Sequence, residues 1–331
     1  MARRYGSVGY APRSTSASMA FSPGIVDTLD PQRLRLVVEL RRRGSISAAA
    51  EACQMGQPSA TKHIKTLEAA LGEKLVQRNG RASALTEAGE VVALHAQRVL
   101  DTLDGMHEEL RALRGAESGT LTLAASTTPG TYVLPLLLEC FAERHPGVRV
   151  DVVMGSSRWV AERVAERDVS LGLAGEVDWP DGIVAEPWLR DEIVGIAAPG
   201  SLGERVSVDE LAIKTLLTRE HGSSVRAVSE RRLARVGYHP GKRWELESGE
   251  AIKRSVRAGL GVGFVSRLDA AEELERGDLV EFAVDDVEPI RRTIYLLRAD
   301  GRDPVPAERA FIESLGSCCK AAGVADCLVV S

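Results

Sequence analysis

The sequence contains no run of eighteen apolar residues, so it holds no stretch fit to span a bilayer as a helix. Residues 1–30 lack the apolar core of a secretory signal and are rich in Ser, Gly, Pro and Arg. They read as a disordered tail over 1–29, with Met19 as an alternative start. Cysteine is scarce and odd in number: Cys53, Cys140, Cys318, Cys319 and Cys327, with no C-x-x-C. That usage fits reduced thiols in a cytoplasm better than a disulfide framework. The adjacent Cys318–Cys319 pair reads as incidental to a C-terminal tail over 317–331, a redox or metal feature being the alternative. Six histidines (63, 95, 107, 145, 221, 239) show no metal-ligand spacing, and no G-x-S-x-G elbow occurs. G-L-G-V-G at 259–263 follows a helix instead of opening one, which argues against a dinucleotide site. The carboxylates are dispersed over helical faces. The expectation is a protein without catalytic, metal or cofactor chemistry.

Charge is present and unevenly placed. The net charge is −5, yet residues 41–85 carry eight basic residues against three acidic ones, a local +5 set against −10 elsewhere. Such a basic head on an acidic body suits a nucleic-acid-binding module joined to something else. The head, residues 30–85, reads as three short helices and a hairpin. Asp30-Pro31 is an N-cap followed by proline at the first helical position, and Gly44 stops the helix. A second helix covers 46–53. After a turn at 54–56, the third places Ala60, Ile64, Leu67 and Leu71 on its buried stripe and Gln57, Thr61 and Lys65 on the other side, with Lys62 beside them. A strand, the Asn79-Gly80 turn and a second strand follow.

This is a winged helix-turn-helix, whose second helix reads base edges from its N-terminal residues. The Gln57 amide suits adenine. Pro58 and the Thr61 methyl suit a thymine methyl, Lys62 and Lys65 suit phosphate or guanine, and Arg78 and Arg81 on the wing suit the DNA backbone or minor groove. The stretches G-S-I-S-A-A-A-E-A (44–52), Q-P-S-A-T-K-H-I-K-T-L-E (57–68), L-G-E-K-L-V-Q-R (71–78) and L-T-E-A-G (85–89) resemble the N-terminal signature of LysR-type transcriptional regulators. Gly56 stands where that family usually has a serine cap, and Val76 where it usually has phenylalanine. The resemblance implies DNA contacts at Gln57, Pro58, Thr61, Lys62 and Arg78; Lys65 and Arg81 rest on geometry. It also implies promoter DNA and RNA polymerase as partners.

Residues 86–114 read as one long helix, about 43 Å at 1.5 Å per residue. Val92, Ala96, Val99, Leu103, Met106, Leu110 and Leu113 repeat at 4, 3, 4, 3, 4, 3, a heptad stripe. Left unpaired, that stripe stays wet, so a dimer is expected, and two heads match two half-sites; packing on the chain's own body is the alternative. LysR-like proteins use such a helix for dimers and often pair dimers into tetramers.

Residues 119–316 alternate strands and helices, which predicts a parallel sheet. Hydroxyl-rich turns follow the strands, at helix N-termini where free N–H groups bind anions. The candidates are Ser126, Thr127 and Thr128 from one half, Ser223 and Ser224 from the other, with Ser156 and Ser248 nearby and Arg219 or Arg226 adding charge. A-S-T-T-P-G-T-Y-V-L-P, R-E-H-G-S-S-V-R and E-A-I-K-R-S-V-R-A-G-L-G-V-G-F-V-S-R resemble the effector domain of the LysR branch that regulates sulfur assimilation and carbon fixation. That resemblance implies two α/β lobes like a type-2 periplasmic binding protein. Lobe one is expected at 119–190 plus 268–316 and lobe two at 191–267. Ser170 and Gly175-Glu176 depart from the family pattern. Sulfite, sulfate, a sugar phosphate and a carboxylate all remain open as the small anionic effector. The expected function is an effector-responsive, cytoplasmic, DNA-binding regulator. The alternative is an anion sensor that no longer reads DNA.

Overall fold

The computed structural model describes residues 27–79, 82–113 and 119–321. The expected N-terminal tail up to residue 26, Gly80 and Arg81 at the wing tip, and Cys327 lie outside them. Two compact units part between Leu103 and Asp104.

The first unit holds α1 (Pro31–Arg43), α2 (Ile46–Ala52), α3 (Gln57–Leu71), β1 (Val76–Asn79) and β2 (Ala82–Leu85). The Asp30 carboxylate accepts from the backbone N–H groups of Gln32 and Arg33, and Gly44 and Gly72 end α1 and α3 in the left-handed conformation. Leu36, Val37, Leu40, Ala49, Ala60, Ile64 and Leu67 form the core beneath. β1 and β2 pair antiparallel as the wing. Glu68 joins wing to helix: its carboxylate accepts from Leu75 N (3.0 Å) and Val76 N (3.4 Å) and pairs with Lys74 (2.8 Å). Burial works against that charge, but these donors win and hold the Glu68 carboxyl below its usual range.

The long helix α4 (Glu87–Leu113) starts where the Thr86 hydroxyl accepts from Gly89 N. Its stripe divides. Val92 packs into the head core and Ala96 is buried with Leu34, Val38 and Leu100 against α1. These two expected dimer residues are therefore occupied by their own head. Val99, Leu103, Met106 and Leu110 stay exposed at 47%, 37%, 55% and 49%; the Leu113 side chain lies outside the description.

The second unit is built on one mixed sheet. Its strands are β3 (Gly119–Ser126), β4 (Val148–Gly155), β5 (Leu171–Gly175), β6 (Ile183–Ala197), β7 (Arg205–Val206), β8 (Thr215–Thr218), β9 (Lys242–Glu245), β10 (Val262–Ser266), β11 (Val280–Val284) and β12 (Ile290–Ala299). The order is β4-β3-β5-β12-β6-β10-β8-β9, with β11 joining β6 and β7. The β4-β3-β5 and β10-β8-β9 groups are parallel, as expected. The long strands β6 and β12 run antiparallel to each other and link the two groups.

Each group has helices on both faces. In lobe one, α5 (Leu134–Arg144) and α11 (Pro306–Ala321) cover one face through Leu137, Phe141, Phe311 and Leu315, while α6 (Ser157–Ala165) covers the other through Val160, Ala161 and Val164. In lobe two, α7 (Val208–Ala212) and α8 (Ser224–Ala234) cover one face, and α9 (Gly249–Arg257) and α10 (Arg267–Arg276) the other. Successive residues alternate between the layers: Leu216 packs with α8 and Leu217 with α9.

Two expected boundaries are corrected. α10 and β11 belong to lobe two, because Ala270, Leu274, Leu279 and Phe282 pack in its two cores and β11 pairs with the far half of β6. Residues 317–321 of the expected tail are instead the last turn of α11, whose apolar face continues from Phe311 and Leu315 to the buried Cys318 and Cys319, and 322–331 lie outside the described residues. The expectation of reduced thiols fails there also: Cys140 of α5 and Cys318 of α11 form a disulfide, with Cα atoms 5.6 Å apart.

Candidate nucleic-acid interface and effector cavity

On α3, Gln57, Pro58, Lys62 and Lys65 are exposed and Thr61 is half-buried. Pro58 occupies the first turn, where its missing N–H leaves nothing unpaired. The Thr61 hydroxyl donates to the Gln57 carbonyl (3.0 Å), so its methyl is the group left for an outside contact. Arg78 lies on β1, but its side chain and all of Arg81 fall outside the description. The four exposed residues thus lie within the N-terminal two-thirds of α3, whose buried side chains are Ala60, Ile64 and Leu67.

The second site lies between the lobes, at the carboxyl ends of the parallel strands, where open α/β sheets place their ligands. Ser126 at the end of β3 with Thr127 and Thr128 after it, Ser156 before α6, Arg219 and Ser223 before α8, and Ser224 at its first position line one cavity. Its free volume is about 10 Å³, room for roughly one water. Seven of the eight expected effector residues meet here; Ser248 does not. It caps α9 by accepting from Ala251 N, and the end of that helix is already occupied by the chain's own carboxylate: a Cβ on Gly249 would collide with Asp269. Arg226 stands behind the cavity, donating to the Arg219 carbonyl (3.0 Å).

Arg292 was not apparent from sequence and is central. It lies on β12 directly across from Asp191 on β6. Its Nε donates to Asp191 Oδ2 (2.7 Å) in an ion pair whose side chains are 2% and 1% exposed, and its Nη2 donates to Thr128 Oγ1 (3.0 Å). The other Asp191 oxygen accepts from the Ser266 hydroxyl (2.7 Å). Arg219 donates to Thr127 Oγ1 (2.9 Å) across the lobes and is held by Glu220. A Cβ on Gly175 would sit 2.4 Å from Ser224 Oγ and 3.1 Å from Arg292 Nη1, so both groups converge where this glycine leaves space. The Ser224 hydroxyl is buried and has no hydrogen-bond partner among the described residues. Hydroxyl donors, two guanidinium groups and the N-termini of α6 and α8 make a setting for negative charge.

A second hydrogen bond joins the lobes. In the wide helical turn Pro129–Val133 of lobe one, Tyr132 donates its hydroxyl to Asp269 Oδ1 (2.5 Å) of lobe two. Buried Lys253 holds Asp269 and Glu273 (2.8 Å to the latter). Burial, then the bond to Asp269, pushes the Tyr132 phenol far up, so it remains a donor at neutral pH.

A winged helix-turn-helix, a long helix and a two-lobed α/β body with a polar interlobe cavity define a ligand-responsive, DNA-binding regulator of transcription. Residues 31–90 match the bacterial regulatory helix-turn-helix domain of the lysR family, and residues 114–319 match the LysR substrate binding domain. The chain belongs to the LysR family. A RuBisCO operon transcriptional regulator of Allochromatium vinosum is 32% identical over 285 residues, 85% of this chain and 94% of that protein. Full-length OxyR from Pseudomonas aeruginosa aligns over 91% of this chain and 98% of its own, at 21% identity and TM-score 0.69. The regulatory domain of Synechocystis CcmR, solved with 2-PG, covers 60% of this chain and 96% of its own, at 25% identity and TM-score 0.55. Among the described residues no helix is long and apolar enough to cross a membrane.

Proposed function

We propose that this regulator binds promoter half-sites with the α3 segments of paired chains, and that a small anion in the interlobe cavity alters lobe closure and so the spacing of the heads. The observation that carries the anion reading is the unpartnered, buried Ser224 hydroxyl beside Arg292 Nη1, two donors aimed at one small space. The 2-PG held by the CcmR domain and the name of the Allochromatium protein support an acidic metabolite linked to carbon assimilation. Coupling requires that the anion bind the two quaternary arrangements with different affinity. The cavity's size means that the lobes must part for anything larger than a water to enter.

The test is a thermal-shift titration of the full chain with phosphate, sulfate and 2-PG. One of them is expected to raise the melting temperature, by the equivalent of about 2.7 kcal/mol at a hundredfold excess over Kd. Ser224→Ala removes a hydroxyl without a partner, so the ligand-free protein is expected to melt as before while anion affinity falls about tenfold or more. Absence of any shift in the wild type, or an unaltered shift in Ser224→Ala, defeats the reading.

For the head, Gln57→Ala is expected to relax base preference by about 1–3 kcal/mol at one position. Lys65→Ala is expected to weaken all sequences alike and to reduce the salt slope by about one. Anisotropy titrations on operator and scrambled duplexes at several salt concentrations separate the two; indistinguishable variants would remove α3 from the groove.

A further inference from the structure

We propose that lobe two carries a second small-molecule site, for a compact monocarboxylate with an apolar body, and that α8 couples it to the interlobe cavity. A cavity of about 210 Å³ lies under α8, against β8, β9 and β10. That is roughly seven water volumes at about 30 Å³ each, enough for a single ring or a short aliphatic chain. Its floor is apolar: Leu216, Leu233 and Phe264 are all buried. The interlobe cavity has no such floor, so the two spaces suit different chemistry.

The polar groups here ask for an acceptor. Tyr238 is buried, lines the cavity, and its hydroxyl has no hydrogen-bond partner among the described residues. A buried hydroxyl in that condition is costly, and native folds seldom keep one without reason. Burial pushes the Tyr238 phenol up to about 12 against the opposing charge of Arg243, so it stays protonated and able to donate. Arg243, exposed on β9, also lines the cavity and brings a guanidinium to it. The acceptor nearby, Glu230, is already shared by Arg243 (3.2 Å) and Arg226 (3.1 Å). Two donors above an aliphatic and aromatic floor fit a carboxylate headgroup with the hydrocarbon inward. A phosphate or sulfate has nothing to set against that floor.

The coupling is covalent and short. Ser224 and Val225 at one end of α8 line the interlobe cavity, while Ser229 and Leu233 line this one. Thr218 of β8 is in this wall and its neighbour Arg219 in the other. Arg226 clamps both, donating to the Arg219 carbonyl (3.0 Å) and to Glu230 (3.1 Å). An occupant that engages Arg243 changes the grip on Glu230 and, through Arg226, the setting of Arg219. The coupling rests on the anion reading proposed above; the site itself does not.

Isothermal titration calorimetry of the full chain with butyrate, hexanoate and phenylacetate tests the site, with phosphate as the interlobe probe. At least one carboxylate is expected to bind saturably, one per chain. Tyr238→Phe and Arg243→Gln are each expected to weaken it about tenfold or more. Tyr238→Phe deletes a hydroxyl without a partner, so it is expected to melt no lower than the wild type. By reciprocity, the carboxylate is expected to shift phosphate affinity by the same factor that phosphate shifts its own. No saturable binding by any of the three acids, or binding indifferent to both substitutions, overturns the site. Binding that leaves phosphate affinity unmoved overturns the coupling, and failure of phosphate, sulfate and 2-PG all to bind counts against the interlobe reading instead.

Discussion

Replacing Asp191 with asparagine is expected to destabilise the lobed domain by about 3–5 kcal/mol, the usual consequence of stripping one partner from a buried ion pair. The pair is well placed for so large an effect. Arg292 and Asp191 are almost wholly buried, and they face each other across β12 and β6, the strands that join the lobes. Asparagine keeps the shape and the Ser266 bond within reach but leaves the guanidinium without its counter-charge. A chemical-denaturation series measures the loss. The same substitution gives the site a signature that mere core damage lacks. Arg292 without its carboxylate is expected to draw an anion more strongly, so phosphate is expected to recover more stability in Asp191→Asn than in the wild type. The double change Asp191→Leu with Arg292→Met removes both charges and is expected to recover much of the stability while abolishing the anion response. An Asp191→Asn protein within about 0.5 kcal/mol of the parent would show that the pair is dispensable to the strands that join the lobes.

The head was legible because its signals are local. Asp30-Pro31, Gly44 and Gly72 mark helix ends through the conformations they favour, and the spacing of Ala60, Ile64 and Leu67 fixes which face of α3 turns inward. The hydroxyl turns of the lobes were legible for the same reason, since each sits where a strand hands over to a helix. Arg292 was not. Its role comes from the register of β6 against β12, about a hundred residues apart in sequence, and nothing beside it marks it out. Ser248 shows the opposite error. It has the local marks of a ligand-binding cap, but Asp269 of a later helix fills the place. The boundary of lobe two failed likewise, because β11 is assigned by the strand it pairs with and not by its own residues. Cys140 and Cys318 lie 178 residues apart, and only the packing of α5 on α11 brings them together.

The heptad stripe of α4 reads as one seam, yet the head takes Val92 and Ala96 and leaves four side chains outside. In the paired chains proposed above, burying these four would contribute a gross gain of about 6–12 kcal/mol at about 1.5–3 kcal/mol each, against an association penalty of similar order. The seam is therefore marginal alone, and a charge in its middle is expected to be decisive. The double substitution Leu103→Glu with Met106→Glu is expected to shift the protein to monomers at concentrations where the wild type pairs, as sedimentation velocity reads directly. Affinity for a duplex with two half-sites is expected to fall about 10²–10⁴-fold, because the second head no longer binds at the high effective concentration that linkage provides. Affinity for a duplex with one half-site is expected to stay the same, since α3 and its supporting core are untouched. Val92→Glu makes the contrast: its side chain packs in the head, so it is expected to unfold that domain and to lose both kinds of binding together. If Leu103→Glu with Met106→Glu sediments as the wild type does, the exposed stripe is not the seam, and the pairing of heads must come from the lobed domain.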